Sequence, residues 1–286
     1  MIMRIKDIGH GPKKRSIIMK KKLAALLIAV LCLSLFAGCG SKKKDLDYIK
    51  DNGEMIMGIT IFEPMNYKDA SGKLTGFETE FAEAVCEKLG VKAKFQVIEW
   101  KQKETELKAR TIDCIWNGLT VTDERKENMA FSTSYVSNYQ VAVIRKADAE
   151  KYTDIASMTG ANMIAENGSA GQSTIEADEV LSKNKFIAAS AQKDALLEVK
   201  AGTSDIAVLD YIMARTLVND ATDYSDLMIV ESADLNSEPE EYAIGFRLED
   251  KELLAAVNKA IDELTEEGFM AALAEKYAIS DALILK

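Results

Sequence analysis

At 286 residues, 48% hydrophobic and 29% charged, the chain has the length of one large domain or two smaller ones and an ordinary globular composition, which excludes a disordered protein. Eight of the 36 basic residues but only one of the 46 acids precede residue 39, so the net charge of −10 becomes −17 on the remainder; such a body repels polyanions, which excludes nucleic acid and anionic lipid surfaces as partners. The single histidine, His10, falls in that basic segment, leaving the body no His metal ligand or His general base and excluding Ser/His, Cys/His and HExxH chemistry.

Residues 20–22 (KKK), the apolar run 23–36 and the small residues Ala37 and Gly38 before Cys39 have the order of an export signal. The run is too short to span a bilayer and is apolar on nearly every face, so it reads neither as a membrane helix nor as an amphipathic one. Met19 is the expected start, because residues 1–18 add nothing that export needs. The stretch FAGC at residues 36–39 resembles the lipobox of bacterial lipoproteins, with Phe36 where leucine is usual. That resemblance implies a lipid on Cys39, a short tether at residues 40–44 (GSKKK) and a body in water beyond the membrane, on a Gram-positive surface or in a periplasm. Of the other cysteines, Cys86 and Cys114 belong to the body, either as a disulfide or as buried thiols.

Along the body, β-like and helical runs alternate. MIMGIT (55–60) is a predicted strand, and GFETEFAEAVCEKLG is a helix with Phe77, Phe81, Val85 and Leu89 at helical spacing before a Gly90 stop. Strand KFQVIEW (94–100) precedes helix KQKETELKA, and IDCIW (112–116) precedes TDERKENM. After a run at 141–144 the order restarts with strand NMIAE (162–166), a helix opening at GSAGQS, strand KFIAAS, helix QKDALLEVKAG ending at Gly202, and strand DIAVLD (205–210). YAIGF (242–246) is a further strand, and two helices, 250–264 and 267–278, follow it. The expectation is an α/β chain of two lobes, each a mostly parallel sheet flanked by helices, joined by two crossovers near Ile144 and Glu240. Segment by segment, this divides the chain into 1–38 (upstream extension and signal), 39–48 (anchor and tether), 49–144 plus 236–286 (lobe 1) and 145–235 (lobe 2).

Open α/β sheets bind ligands beyond the carboxyl ends of their strands, and four strand exits carry unusual residues. IFEPMNY presents Phe62. WNGLTVTDER presents Trp116, Asn117, Gly118, Thr120 and Arg125. NGSAGQS places Ser169 and Ala170 at a helix N-terminus, where free N–H groups bind anions, and it lacks the signatures of a P-loop or a dinucleotide fold. DIAVLD ends in Asp210. One cation, one anion, two sets of backbone donors and aromatic walls suit a zwitterion: Arg125 grips a carboxylate, Asp210 accepts an ammonium, and Phe62 and Trp116 pack against the rest. Taken singly, Arg125 reads as a surface charge, Asp210 as a cap of the next helix, and the aromatics as core.

In this order and spacing, GFETEFAEAVCEKLGV, IDCIWNGLTVTDERKENMAFSTSY, AGTSDIAVLD and EEYAIGFR resemble the polar amino acid family of bacterial extracytoplasmic solute-binding proteins, over nearly all of residues 49–278. The resemblance implies the two-lobed type 2 periplasmic-binding fold, a free amino acid as ligand, an ABC permease as partner, and a monomer without cofactor or metal. It assigns the carboxylate site to Arg125 and Thr120, with Asn117 and Gly118 before them, the second-lobe anion turn to Ser169 and Ala170, the ammonium site to Asp210, and aromatic stacking to Phe62. The loop GITIF lacks the acid with which basic-amino-acid binders of the family meet a cationic side chain, and Ala170 replaces a common threonine. Two alternatives accompany this reading. One is a dehydratase-like enzyme on the same fold with Glu63 or Glu166 as its acid; the other is a sensory module, whose usual transmembrane and signalling segment has no counterpart after EKYA (275–278).

Overall fold

The computed structural model describes residues 45–231, 235 and 239–285; the expected signal, the Cys39 lipidation site and the tether at 40–44 lie outside the described residues. The chain runs through α1 (Asp45–Asn52), β1 (Glu54–Ile59), the small hairpin β2 (Tyr67–Lys68) and β3 (Leu74–Thr75), α2 (Phe77–Leu89), β4 (Lys92–Val97), α3 (Lys103–Ala109), β5 (Cys114–Ile115), α4 (Asp123–Asn128) and β6 (Ala130–Phe131). It continues through β7 (Val136–Asn138), β8 (Gln140–Arg145), β9 (Asn162–Glu166), α5 (Ala170–Ala177), β10 (Lys185–Ala189), α6 (Gln192–Ala201), β11 (Ile206–Asp210), α7 (Tyr211–Leu217) and β12 (Leu227–Ile229). It returns through β13 (Glu240–Tyr242) and β14 (Gly245–Phe246) and closes with α8 (Lys251–Glu266) and α9 (Phe269–Lys276).

Two five-stranded sheets result, β4-β1-β5-β14-β6 and β10-β9-β11-β8-β12. In each, four strands run in one direction. The reversed strands are β14, antiparallel to β5 and β6, and β8, antiparallel to β11 and β12. Each reversed strand follows a passage from the other sheet, so it enters from the opposite end to its neighbours. The passages themselves, β7 and β13, pair antiparallel as a two-stranded ribbon. Ile144 therefore lies inside β8 of the second sheet, and the first passage sits at 136–138, earlier than expected. The predicted strand 242–246 is likewise two strands in two different sheets, and the strand predicted to reach Trp100 stops at Val97 before a 3-10 turn.

Alternation explains how each sheet is buried on both faces. On β9, Ile164 joins the large cluster shared by both sheets while Met163 and Ala165 join a second cluster. On β11, Ala207 and Leu209 face the first cluster, and Ile206 and Val208 the second. Helix α2 buries Phe77, Phe81 and Val85 and stops where Gly90 takes a left-handed φ of 74°, as its periodicity requires; burial of each such side chain contributes about 1.5–3 kcal/mol. Cys86 and Cys114 are buried free thiols, and burial pushes Cys86 up to about 12. Arg247, from the EEYAIGFR motif, donates to the carbonyls of Leu107 (3.1 Å) and Ile112 (2.9 Å) and so holds the chain leading into β5.

Candidate ligand-binding cleft

Between the two sheets lies a narrow cavity lined by Trp100, Asn117, Gly118, Thr120, Arg125, Glu166, Ser169, Ala170, Gln192 and Asp210. Each lining residue stands at or just beyond the carboxyl end of a strand: Trp100 after β4, Asn117 to Arg125 after β5, Glu166 to Ala170 after β9, Gln192 after β10 and Asp210 on β11. The ends of these co-directional strands converge there, which is where such sheets place ligands.

Arg125 comes from the first turn of α4, whose N-cap Thr122 accepts the Arg125 N–H at 3.2 Å. Its side chain is 9% exposed. Nη1 donates to the Thr120 carbonyl (2.7 Å) and Nη2 to the Gly168 carbonyl (3.4 Å), across the cleft. Both acceptors are neutral carbonyls. Burial lowers its pKa, while Glu240 and Asp210 act the other way. Nearby, Lys103 Nζ also donates to Gly168 O (3.0 Å) and sits 4.8 Å from the centre of the Trp100 ring; burial, with Arg125 adding to it, lowers Lys103 to about 7.

Asp210 is 4% exposed. Its Oδ1 accepts from Asn138 Nδ2 (2.5 Å), Gln140 Nε2 (2.9 Å) and the Tyr242 hydroxyl (2.7 Å), and its Oδ2 from Gln192 Nε2. These four donors are uncharged, so the carboxylate is oriented without being neutralised, and Oδ2, with one donor, keeps acceptor capacity. Burial raises its pKa against the opposing hydrogen bonds and Arg125. Asn138 and Tyr242 belong to the β7/β13 ribbon, so the segments linking the sheets hold this carboxylate directly. Glu240 on β13 accepts from Gln140 (2.9 Å) and Thr120 (3.2 Å).

The loop after β5 is built around a buried carboxyl. Glu78 on α2 accepts the Gly118 N–H with both oxygens (2.8 and 3.1 Å), Asn66 Nδ2 (2.8 Å) and the Tyr135 hydroxyl. Asn117 donates to Thr60 Oγ1 (2.8 Å) and accepts from Asn66 (3.0 Å). On the opposite wall, Ser169 caps α5 by accepting the Gln172 N–H at 3.1 Å, which leaves the Ala170 and Gly171 N–H groups in the first turn, where helix geometry offers no partner. A Cβ on Gly171 would meet the Val208 carbonyl at 2.5 Å; glycine there lets α5 press against β11.

Burial raises Glu78 to about 7 and Glu166 to about 8. Both are raised in the folded state, so both stabilise the fold while protonated and lose that contribution as pH rises through the folded values. Lys103, lowered to about 7, acts in the opposite sense above that pH. The thermal midpoint is therefore expected to fall between pH 5 and 7 and flatten above; a midpoint that rises across pH 5–7 contradicts the burial of these carboxyls.

Seven of the residues expected from the sequence line the cavity together: Asn117, Gly118, Thr120, Arg125, Ser169, Ala170 and Asp210. Two do not. Phe62 is buried beside the wall, edge-on to Tyr242 at 6.3 Å and in contact with Gly118. Trp116 points into the first-sheet core, fully buried and edge-on to Phe81 at 5.0 Å, because α2 covers that face of β5; expectation of a ligand-facing Trp116 is corrected. Trp100 is the aromatic in the wall instead. Trp100 and Gln192 also follow strand ends, β4 and β10, and the same strand-exit rule points to both. Glu63 does not line the cavity; Glu166 does.

Residues 55–280 match the bacterial extracellular solute-binding proteins, family 3. The chain belongs to this family. The L-cystine-binding protein TcyJ of Escherichia coli strain K12 is 27% identical over 264 residues, covering 89% of this chain and 95% of that protein. A substrate-binding protein of an ABC uptake transporter from Streptococcus pneumoniae, solved with bound histidine, is 30% identical with a TM-score of 0.77, over 85% of this chain and all of that one. An ancestral amino acid-binding protein, a precursor of cyclohexadienyl dehydratase, is 26% identical with a TM-score of 0.73, over 81% and 98%. This solute-binding protein thus has the type 2 periplasmic-binding fold, with two sheets, a two-stranded link and a cleft between them.

Proposed function

We propose that this solute-binding protein captures a free amino acid outside the cell membrane and delivers it to the permease of an ABC importer. The observation that carries the reading is that Arg125, in the helix that follows β5 of the first sheet, and Asp210, at the end of β11 in the second, line one cavity. The guanidinium, held by neutral carbonyls, receives the α-carboxylate with the N–H groups of the Ala170 turn; Asp210 Oδ2 receives the α-ammonium. Ligand first meets the lobe bearing Arg125, and rotation about the β7/β13 ribbon brings Asp210 over it. Charge-assisted hydrogen bonds contribute about 1.5–3 kcal/mol each, and micromolar affinity needs about 8 kcal/mol. Several such bonds supply it.

In the same reading the body is a monomer held to the extracytoplasmic face of the membrane, a Gram-positive surface foremost, by lipid on Cys39. It binds rather than catalyses, since the cleft acids Glu166 and Asp210 serve ligand charge. Calorimetry with the common amino acids and cystine is expected to give a dissociation constant near micromolar for at least one of them. Binding of none, or turnover of prephenate-type substrates, defeats the proposal. Asp210→Asn is expected to weaken the ligand by about 30- to 100-fold, equivalent to about 2–3 kcal/mol, as read in the same titration.

A further inference from the structure

Resting on the amino-acid reading above, we infer that Glu166 sets specificity by selecting an amino acid that carries a second protonated nitrogen, on a cationic side chain or as a second ammonium. Once Arg125 holds the carboxylate and Asp210 the α-ammonium, the cavity retains one further acid. Glu166 is the last residue of β9, 2% exposed, and lines the cavity together with Ser169, Gln192 and Asp210. Its Oε1 has no hydrogen-bond partner among the described residues. The contrast with the neighbouring acids is informative, because Asp210 takes four donors and Glu240 is held by Gln140 and Thr120.

A buried carboxylate is unfavourable unless a cation or a proton compensates it. The fixed cations do not meet this one. Lys103 directs its Nζ to the carbonyls of Gly168 (3.0 Å) and Trp100 (3.4 Å), and Arg125 is held at Thr120 and Gly168. Among the groups that face Glu166, Asp210, Asp194 and Glu99 oppose its ionisation and Lys103 favours it, and burial outweighs them all. At neutral pH the carboxyl therefore holds a proton that an incoming ammonium or guanidinium displaces. Below about pH 8, binding of such a ligand releases that proton, and affinity rises with pH.

The test is calorimetry of the full chain with charge-changed, size-matched pairs: arginine against citrulline, and cystine against the mixed disulfide of cysteine with 3-mercaptopropionic acid, which lacks only the second ammonium. The wild type is expected to prefer the charged member of one pair at least tenfold at pH 7.5; preference in the arginine pair identifies a side-chain cation, preference in the cystine pair a second ammonium. Repeating the titration in buffers of different ionisation enthalpy is expected to show proton release with the preferred ligand. Glu166→Gln should reduce the preference below threefold and abolish the proton release, with a thermal midpoint no lower than the wild type's. A wild type that binds neutral or acidic amino acids as tightly, or a variant that keeps the preference, overturns the inference. A wild type that binds no amino acid at all overturns the proposed function instead.

Discussion

Arg125→Ala is expected to weaken amino-acid binding by about 100-fold or more while leaving the protein folded. Removing one partner of a buried, hydrogen-bonded charge pair costs about 2–5 kcal/mol, and the guanidinium is the cavity's only lining cation among the described residues. In the unliganded protein the same change removes a buried charge whose bonds go only to the Thr120 and Gly168 carbonyls. Lost packing and relieved desolvation then offset each other, so the thermal midpoint should move by only a few degrees. Arg125→Lys restores the charge without the planar fork and should recover only part of the affinity. The decisive pair of measurements is a calorimetric titration and a melt. Affinity within threefold of wild type, in a protein that melts normally, removes Arg125 from the site.

Gly118→Ala is expected to destabilise the protein by about 3 kcal/mol and to abolish binding with it. Gly118 has φ of +53°, and a Cβ there would lie 2.2 Å from Phe62 Cε1. Left-handed backbone at a non-glycine residue and overpacking of a tight core each cost about 1–3 kcal/mol. Phe62 has little room to yield, being 2% exposed and packed on Tyr242, whose hydroxyl holds Asp210. The Gly118 N–H is also tied to both oxygens of Glu78, so a displaced loop leaves that buried carboxyl short of donors. Denaturant unfolding gives the stability, and a loss below about 1 kcal/mol would show that the Phe62 ring gives way. The two variants differ in kind: one removes a proposed ligand contact from a sound fold, the other disturbs the loop that carries several of the cavity's lining residues.

Much of the cavity's lining was legible one residue at a time, because strand ends mark the cleft in this architecture. Arg125 and Asp210 were found as polar residues beyond strand ends, and the strand-exit rule applied evenly also reaches Trp100 and Gln192, after β4 and β10. Trp116 failed because position beyond a strand does not say which face a side chain takes. At Trp116 the face belongs to α2 and Phe81. Glu166 was visible as a charged end to an apolar strand, yet its missing partner is a statement about the surroundings and has no local signature.

The alternation of elements, the helix stops at Gly90 and Gly202, the acidic body and the family motifs with Arg125 and Asp210 can all be read from the amino-acid order. All of these rest on periodicity, backbone conformation or residue chemistry, which act over a few positions. That β8 and β14 run against their neighbours, that the link lies at β7 and β13, and that Asn138 and Tyr242 from this link hold Asp210 emerges from the packed fold alone. These depend on which distant segments share a sheet, and a residue's neighbours across a cleft are set by packing between segments some hundred positions apart, to which no local pattern responds.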